Sequence, residues 1–286
     1  MEDLISRSIH PCYSERAHFK TGRIHLPVAP VCNIQCNYCK RDINKSEDRP
    51  GVAASILKPL EALEVLKTAL KKMPQIKVVG IAGPGEPLAN PNTFETFRLV
   101  HKEFPALIKC VASNGLLLSE KVDELKKVGV STVTVTINAV DPEVASKIYP
   151  FVIYKDSTLT GIEGAKLLLK KQMEGVEKAS SAGMLVKINT VLIPEINFNE
   201  IEKISLETAK RGAVLHNIIP LIPIYNFIDI PKPTAEQLKE ARSISLKFLP
   251  QFRVCKQCRA DAIGVPGLEK CLSCSQDNLG SVYFHG

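Results

Sequence analysis

The sequence predicts an α/β fold built on a parallel sheet, and three observations support this. From residue 23 onward short β-branched runs alternate with longer helical ones, a C-x3-C-x2-C run follows the first of them, and five of the nine cysteines lie in the two ends of the chain. Six strand-then-helix units in sequence call for parallel pairing with right-handed crossovers. Six units are too few for an eightfold barrel, which leaves a doubly wound sheet or an incomplete, curved (β/α)6 barrel of TIM-like type.

The candidate strands are residues 23–31, 76–82, 107–112, 132–138, 184–193 and 213–220. Leu60, Leu63, Leu66, Leu70 and Met73 recur at spacings of three and four, which puts one apolar stripe on a helix whose opening turn suits Pro59. Ser119 is expected to cap a helix carrying Val122, Leu125 and Val128 and ended by Gly129. Asp141-Pro142, Asn197 and the capping box Thr234 to Gln237 are expected to open three more. Chemistry in such barrels sits at the carboxyl ends of the strands, and Cys32, Gly83, Ser113, Asn138 and Asn189 fall at or just after predicted strand ends. Residues 1–22 and 250–286 lie outside the alternation and hold Cys12, Cys255, Cys258, Cys271 and Cys274. These ends are expected to fold over the mouth of a barrel core spanning 23–249, pinned there by metal, within one domain of 1–286.

With 286 residues, 45% of them hydrophobic, the chain can bury a sizeable core in one unit. No apolar run approaches a membrane span, and residues 1–10 carry charges where a secretory leader is apolar, so a cytoplasmic protein with no membrane partner is expected. Seven of the nine cysteines fall in C-x2-C or C-x3-C groups, which in a reducing compartment points to metal rather than disulfides. The net charge of +7 is dispersed, and without a basic block interleaved with aromatics it argues against nucleic acid as a partner.

Cys32, Cys36 and Cys39 are the centre of the reading. Three thiolates within eight residues wrap one corner of an iron–sulfur cubane and leave its fourth iron open to an outside ligand. A structural zinc knuckle is the alternative, although it normally takes four ligands in paired C-x2-C groups. The motif resembles that of the radical S-adenosylmethionine (radical SAM) enzymes, and the resemblance selects the partial barrel. It implies a 4Fe-4S cluster on these cysteines that binds SAM and splits it to a 5′-deoxyadenosyl radical. It also implies SAM contacts at Tyr38 and at Gly83, Gly85 and Glu86 in the Gly-Pro-Gly-Glu-Pro turn after the second strand. Further contacts are implied at Ser113, Asn114, Thr136, Asn138, Lys187 and Asn189 on strands three to five. For each of these the ordinary alternative is capping or loop hydrogen bonding.

A narrower resemblance rests on His10-Pro-Cys-Tyr-Ser-Glu-Arg-Ala-His18, His25-Leu-Pro-Val-Ala-Pro30, Arg49-Pro-Gly51, Gly80-Ile-Ala-Gly-Pro-Gly-Glu-Pro-Leu-Ala-Asn90, Asn138-Ala-Val-Asp-Pro142, Pro220-Leu-Ile-Pro223 and Cys255-Lys-Gln-Cys-Arg-Ala-Asp261. These stretches are similar to the NifB family of nitrogenase cofactor maturases, in the short form without a NifX-like domain. The resemblance implies fusion of two substrate 4Fe-4S clusters, K1 and K2, around a carbide taken from a SAM methyl group. It also implies cluster-donor and electron-donor proteins, and a cofactor scaffold protein downstream. The implied K2 ligands are Cys12, Cys255 and Cys258, and His25 and Cys110 match two of the three for K1. A cysteine is missing from residues 40–48, so K1 either has fewer ligands or takes Asp42, Asn44 or a tail cysteine instead. Cys271 and Cys274 are the spare thiols, and together with Cys255 and Cys258 they also have zinc-ribbon spacing. Glu47 is implied as a proton acceptor and Arg49 as a counter-charge to the clusters; a loop ion pair is the alternative. Without the resemblance, Cys110 reads as a small buried hydrophobe and His25 as a core histidine. Two other functions remain: a non-catalytic iron–sulfur scaffold or carrier, and a radical SAM enzyme acting on another substrate.

Overall fold

The computed structural model describes residues 8–268. In chain order its strands are β1 (Gly22–His25), β2 (Ile34–Gln35), β3 (Asp42–Ile43), β4 (Val52–Ala53), β5 (Ile76–Ile81), β6 (Ile108–Ser113), β7 (Val130–Thr136), β8 (Phe151–Tyr154), β9 (Ser157–Thr160), β10 (Leu185–Leu192), β11 (Leu215–Pro220) and β12 (Ile263–Gly264). The main sheet runs β11-β10-β7-β6-β5-β1-β12. The six strands from β1 to β11 are all parallel and follow sequence order, whereas β12 pairs antiparallel with β1. A doubly wound sheet reverses its strand order at a switch point. This one does not, so the chain folds as the partial barrel.

Helices Pro59–Lys72, Pro91–Glu103, Leu118–Lys127, Gly161–Ser181 and Ile201–Lys210 follow successive strands. The first starts at Pro59 as the sequence indicates and buries Leu63 and Leu66. Thr234 and Gln237 form the expected reciprocal capping box, and Asp141 caps its helix by accepting from Glu143 N. Two expected caps differ. Leu117 occupies the position given to Ser119, which lies inside the helix. Asn197 ends a short helix, Pro194–Asn197, and spends its side-chain oxygen on Ile193 N at 2.8 Å. β1 also stops at His25 rather than residue 31, because Pro27 and Pro30 have no amide hydrogen for a ladder.

The sheet divides its residues by alternation. Ile24, Val79, Val111, Val133, Val135, Val186 and Ile188 face the helices and form the main core with Leu63, Leu66, Phe97, Val122 and Leu125. The opposite face carries Arg23 and His25, Gly80, Cys110, Thr134 and Thr136, Lys187 and Asn189, and Asn217. Period-two alternation normally gives an apolar interior; here it gives a polar, sulfur-bearing one. The two ends of the chain lie over this face, with Cys12, Phe252, Cys255 and Cys258 on the wall of the same cavity. Among the described residues no helix is long and apolar enough to cross a membrane.

Candidate functional site: a cysteine-lined cavity

One cavity of about 310 Å³ lies inside the curved sheet, a size within the range of pockets that enclose a small-molecule cofactor. Cys12, Cys32, Cys36, Cys39, Cys110, Cys255 and Cys258 all line it, and all seven are free thiols. Burial pushes the Cys12 thiol up to about 12 and the Cys32 thiol up to about 11, and it raises Cys36, Cys39 and Cys110 as well. Desolvation disfavours bare thiolates, so these sulfurs become anionic only against positive charge. Arg23, Arg41, Arg49, Lys187 and Lys256 line the same space, where Glu86 is the one carboxylate among the described residues. A soft donor set within a cationic wall fits thiolate-ligated iron–sulfur clusters. Among the described residues, no three His, Cys, Asp or Glu side chains stand close enough to share one metal ion. A mononuclear zinc site draws its ligands that close; a multi-iron cube spreads them.

The three-cysteine loop is held from several directions. β2, between Cys32 and Cys36, pairs with β8 of the β8–β9 hairpin, and Ile153 N donates to Asn33 O at 2.7 Å. Gln35 Nε2 reaches Cys36 O and Cys39 O, both at 2.8 Å, and Arg41 fixes Gln35 from the other side. Asn90 receives Val31 N and donates to Val31 O and Glu86 O, tying the approach to Cys32 onto the turn after β5.

In that turn Gly85 admits only glycine, because a Cβ there would meet Val31 O at 2.3 Å. Glu86 is buried, and both its oxygens are engaged: Oε1 accepts from Ser113 Oγ and Leu88 N, and Oε2 from Asn114 N. Burial raises its carboxyl to about 6 despite these donors. Ser113 and Asn114 are thereby fixed at the end of β6, with Asn114 Nδ2 donating to Asn33 at 2.7 Å. Gln172, which the sequence did not single out, donates to Asn114 O and Thr136 O from helix Gly161–Ser181.

The structure brings most of the sequence-derived residues to this cavity. Tyr38, Gly85, Glu86, Ser113, Asn114, Thr136, Lys187, Asn189, His25 and Arg49 line it beside the seven cysteines. Gly83 and Asn138 stand behind the wall. Asn138 is fully buried, donating to Tyr38 Oη and Tyr149 Oη and accepting from Val191 N, so its contribution is to hold Tyr38 in place. Lys187 is found away from the three-cysteine loop, donating to Cys12 O at 3.1 Å over the rings of Tyr13 and Phe252. Glu47 does not line the cavity: its carboxylate is bound to Asn44 and to Arg49 at 2.5 Å, and those bonds hold it below the usual carboxylate range. Asp42 pairs with Lys40, and Asn44 accepts from Ser46 N and Glu47 N. Neither reaches the cavity as the substitute ligand expected from the sequence. Cys271 and Cys274 lie outside the described residues.

Further residues complete the far end. Arg23, 1% exposed, donates to Cys258 Sγ at 2.7 Å. His10, His18 and Asn217 line the cavity with a side-chain atom each that has no hydrogen-bond partner among the described residues. His25 Nδ1 meets Arg259 O at 3.2 Å, and burial holds its ring neutral, with a conjugate acid lowered to about 3. Gly80 makes room for that ring, since a Cβ would meet His25 Cδ2 at 3.0 Å. Arg259 and Asp261 form a buried ion pair at 2.9 Å that also binds Glu47 O, Asn44 O and Ala54 N, locking the cysteine tail to residues 44–54. A charged residue within an apolar strand, as in Gly22-Arg-Ile-His25, was the available signal for Arg23; nothing local marked Asn217 or Gln172.

A radical SAM superfamily model matches residues 26–206. The chain is 51% identical over 258 residues to the FeMo cofactor biosynthesis protein NifB of Methanocaldococcus infernus, covering 90% of this chain and 85% of that one. It is 44% identical over 269 residues to NifB of Klebsiella pneumoniae, covering 91% of this chain and 58% of that longer protein. Among solved structures, methylornithine synthase (PylB) superposes with a TM-score of 0.51 at 12% identity, over 82% of this chain and 65% of that one, a likeness of fold alone. With the cysteine loop, the cavity and the sequence identity in agreement, the chain belongs to the radical SAM superfamily and, within it, to the NifB family.

Proposed function

We propose that this chain is a radical SAM maturase of nitrogenase cofactor biosynthesis, which fuses two 4Fe-4S substrate clusters with insertion of a SAM-derived carbide. The observation that carries the reading is the meeting of seven free, half-buried thiols from four parts of the chain in one cavity with five cationic side chains. Cys32, Cys36 and Cys39 would hold the resident cluster, which, when bound, supplies the electron that splits SAM. Glu86 braces Ser113 and Asn114, and these, with Tyr38, Gly85, Thr136 and Asn189, would orient SAM next to that loop. Cys12, Cys255 and Cys258 would hold one substrate cluster, and His25 and Cys110 the other. Arg23, Arg49 and Lys187 would offset the clusters' negative charge. One SAM would give its methyl group to a cluster sulfide, leaving S-adenosylhomocysteine, and a second, split by one electron with release of methionine, would remove a hydrogen atom from that methyl and end as 5′-deoxyadenosine. The curved wall would shield the reacting carbon from water. Glu47 serves this reading as the partner of Arg49 rather than as a base on the substrate. Cluster donors, an electron donor and a downstream scaffold protein would be its partners, in the cytoplasm.

Anaerobically reconstituted, reduced protein given SAM labelled at its methyl carbon should yield both S-adenosylhomocysteine and 5′-deoxyadenosine, with label in a protein-bound cluster. Neither product would mean a scaffold or carrier. 5′-Deoxyadenosine with no label in any cluster would mean a radical SAM enzyme with another substrate.

A further inference from the structure

Three imidazoles line the cavity among the described residues, and their hydrogen bonds sort them by what each ring can offer. His25 Nδ1 faces Arg259 O, and His18 Nδ1 faces Pro11 O at 2.9 Å. A carbonyl only accepts, so in both neutral rings Nδ1 carries the proton and Nε2 keeps its lone pair. His10 is the reverse: its Nδ1 accepts from Cys12 N at 3.0 Å, so its proton is on Nε2. His18 is 2% exposed, and its Nε2 is buried with no hydrogen-bond partner among the described residues. A buried acceptor left unpaired costs about 1–3 kcal/mol. Metal-ligating histidines commonly show this arrangement, the far nitrogen donating to a carbonyl while the near one is bare.

The surroundings of His18 place it at the tail end of the cavity. Phe19 and Phe252 meet its ring edge-on at 5.3 and 5.6 Å and fix its plane. The charged groups it senses are Arg23, Lys256 and Lys187. Arg23 donates to Cys258 Sγ, Lys187 to Cys12 O, and Lys256 lies between Cys255 and Cys258. Its neighbours are those of the tail thiols.

We propose that His18 Nε2 ligates the fourth iron of the substrate cluster held by Cys12, Cys255 and Cys258. This rests on the reading that a 4Fe-4S substrate cluster binds these three cysteines. Three thiolates leave one iron of a cubane open, and a neutral nitrogen closes it without adding anionic charge. The Fe–N bond uses the existing lone pair and moves no proton or electron. The two substrate clusters are then held unequally, one on four protein ligands and the other on His25 and Cys110.

The test uses the full chain carrying Cys32→Ala, Cys36→Ala, Cys39→Ala and His25→Ala, reconstituted with iron and sulfide, reduced, and measured by pulsed EPR. One strongly coupled 14N nucleus is expected. Adding His18→Ala should abolish it and speed iron loss to a chelator roughly tenfold, about 1.4 kcal/mol. His18→Gln, which retains a polar side chain, serves as a second variant that should also lose the coupling. A coupling that survives both His18 substitutions, or cluster-bound protein with no strong 14N coupling before them, overturns the inference and leaves the proposed function standing. A parent that binds no cluster overturns both.

Discussion

The two ends of the cavity bring sulfur together by opposite means. At one end Cys32, Cys36 and Cys39 sit within eight residues, and a short loop shapes them through Gln35, Arg41 and the β2–β8 pairing. At the other, Cys12, Cys255 and Cys258 come from the two ends of the chain, which Arg23, Lys187, the Arg259–Asp261 pair and the β12–β1 pairing hold to the sheet. A local site withstands loosening elsewhere; a site assembled across the whole chain does not. Substitutions should therefore separate them.

The largest effect is expected for Arg259→Ala, which leaves Asp261 buried without its counter-charge at a cost of about 3–5 kcal/mol. Thermal unfolding should shift down by several degrees, and iron analysis should show the tail cluster lost while the cluster at Cys32, Cys36 and Cys39 persists. Equal loss from both ends would break the comparison. Next comes Glu86 at the local end. Its carboxyl sits at about 6 in the folded chain against about 4.5 unfolded, so the folded state binds the proton more tightly between those values. Its contribution is fully present below pH 4.5 and is lost as pH rises through 6, about 2 kcal/mol in total. Denaturant titration of the cluster-free chain should show this pH dependence, and Glu86→Gln should remove it.

Gly85→Ala should weaken SAM binding roughly tenfold, about 1.4 kcal/mol, because the new Cβ must push the backbone of Val31 away from Cys32. Equilibrium dialysis measures this, and iron at the tail cysteines should stay unchanged. The smallest effect belongs to Thr234→Ala, remote from both ends. Losing that cap should cost about 1 kcal/mol in stability and leave cluster content and SAM affinity at the parent values.

The same contrast explains what the sequence reveals. Cys32, Cys36 and Cys39 are legible because their spacing is itself the geometry. The strands are legible from β-branched runs, and their order follows from the alternation with helices. The β8–β9 hairpin is not, because its two-residue turn uses Lys155 and Asp156 at φ 47° and 64°, where Asn-Gly would have announced it. Yet this hairpin supports the cysteine loop. Arg23, His18 and Asn217 acquire meaning only from neighbours far along the chain. Glu47 shows the converse: the family resemblance implies a proton acceptor, and in the fold its carboxylate is bound by Arg49 and Asn44 away from the cavity lining.

The strand that closes the sheet beside β1 is contributed by Ile263 and Gly264, with Arg23 and Gly264 241 positions apart. During synthesis the inner wall from Arg23 to Asn217 therefore emerges from the ribosome well before its last edge exists. A nascent chain stalled before residue 255 would display the Cys32, Cys36 and Cys39 loop on a sheet that still lacks its β12 edge.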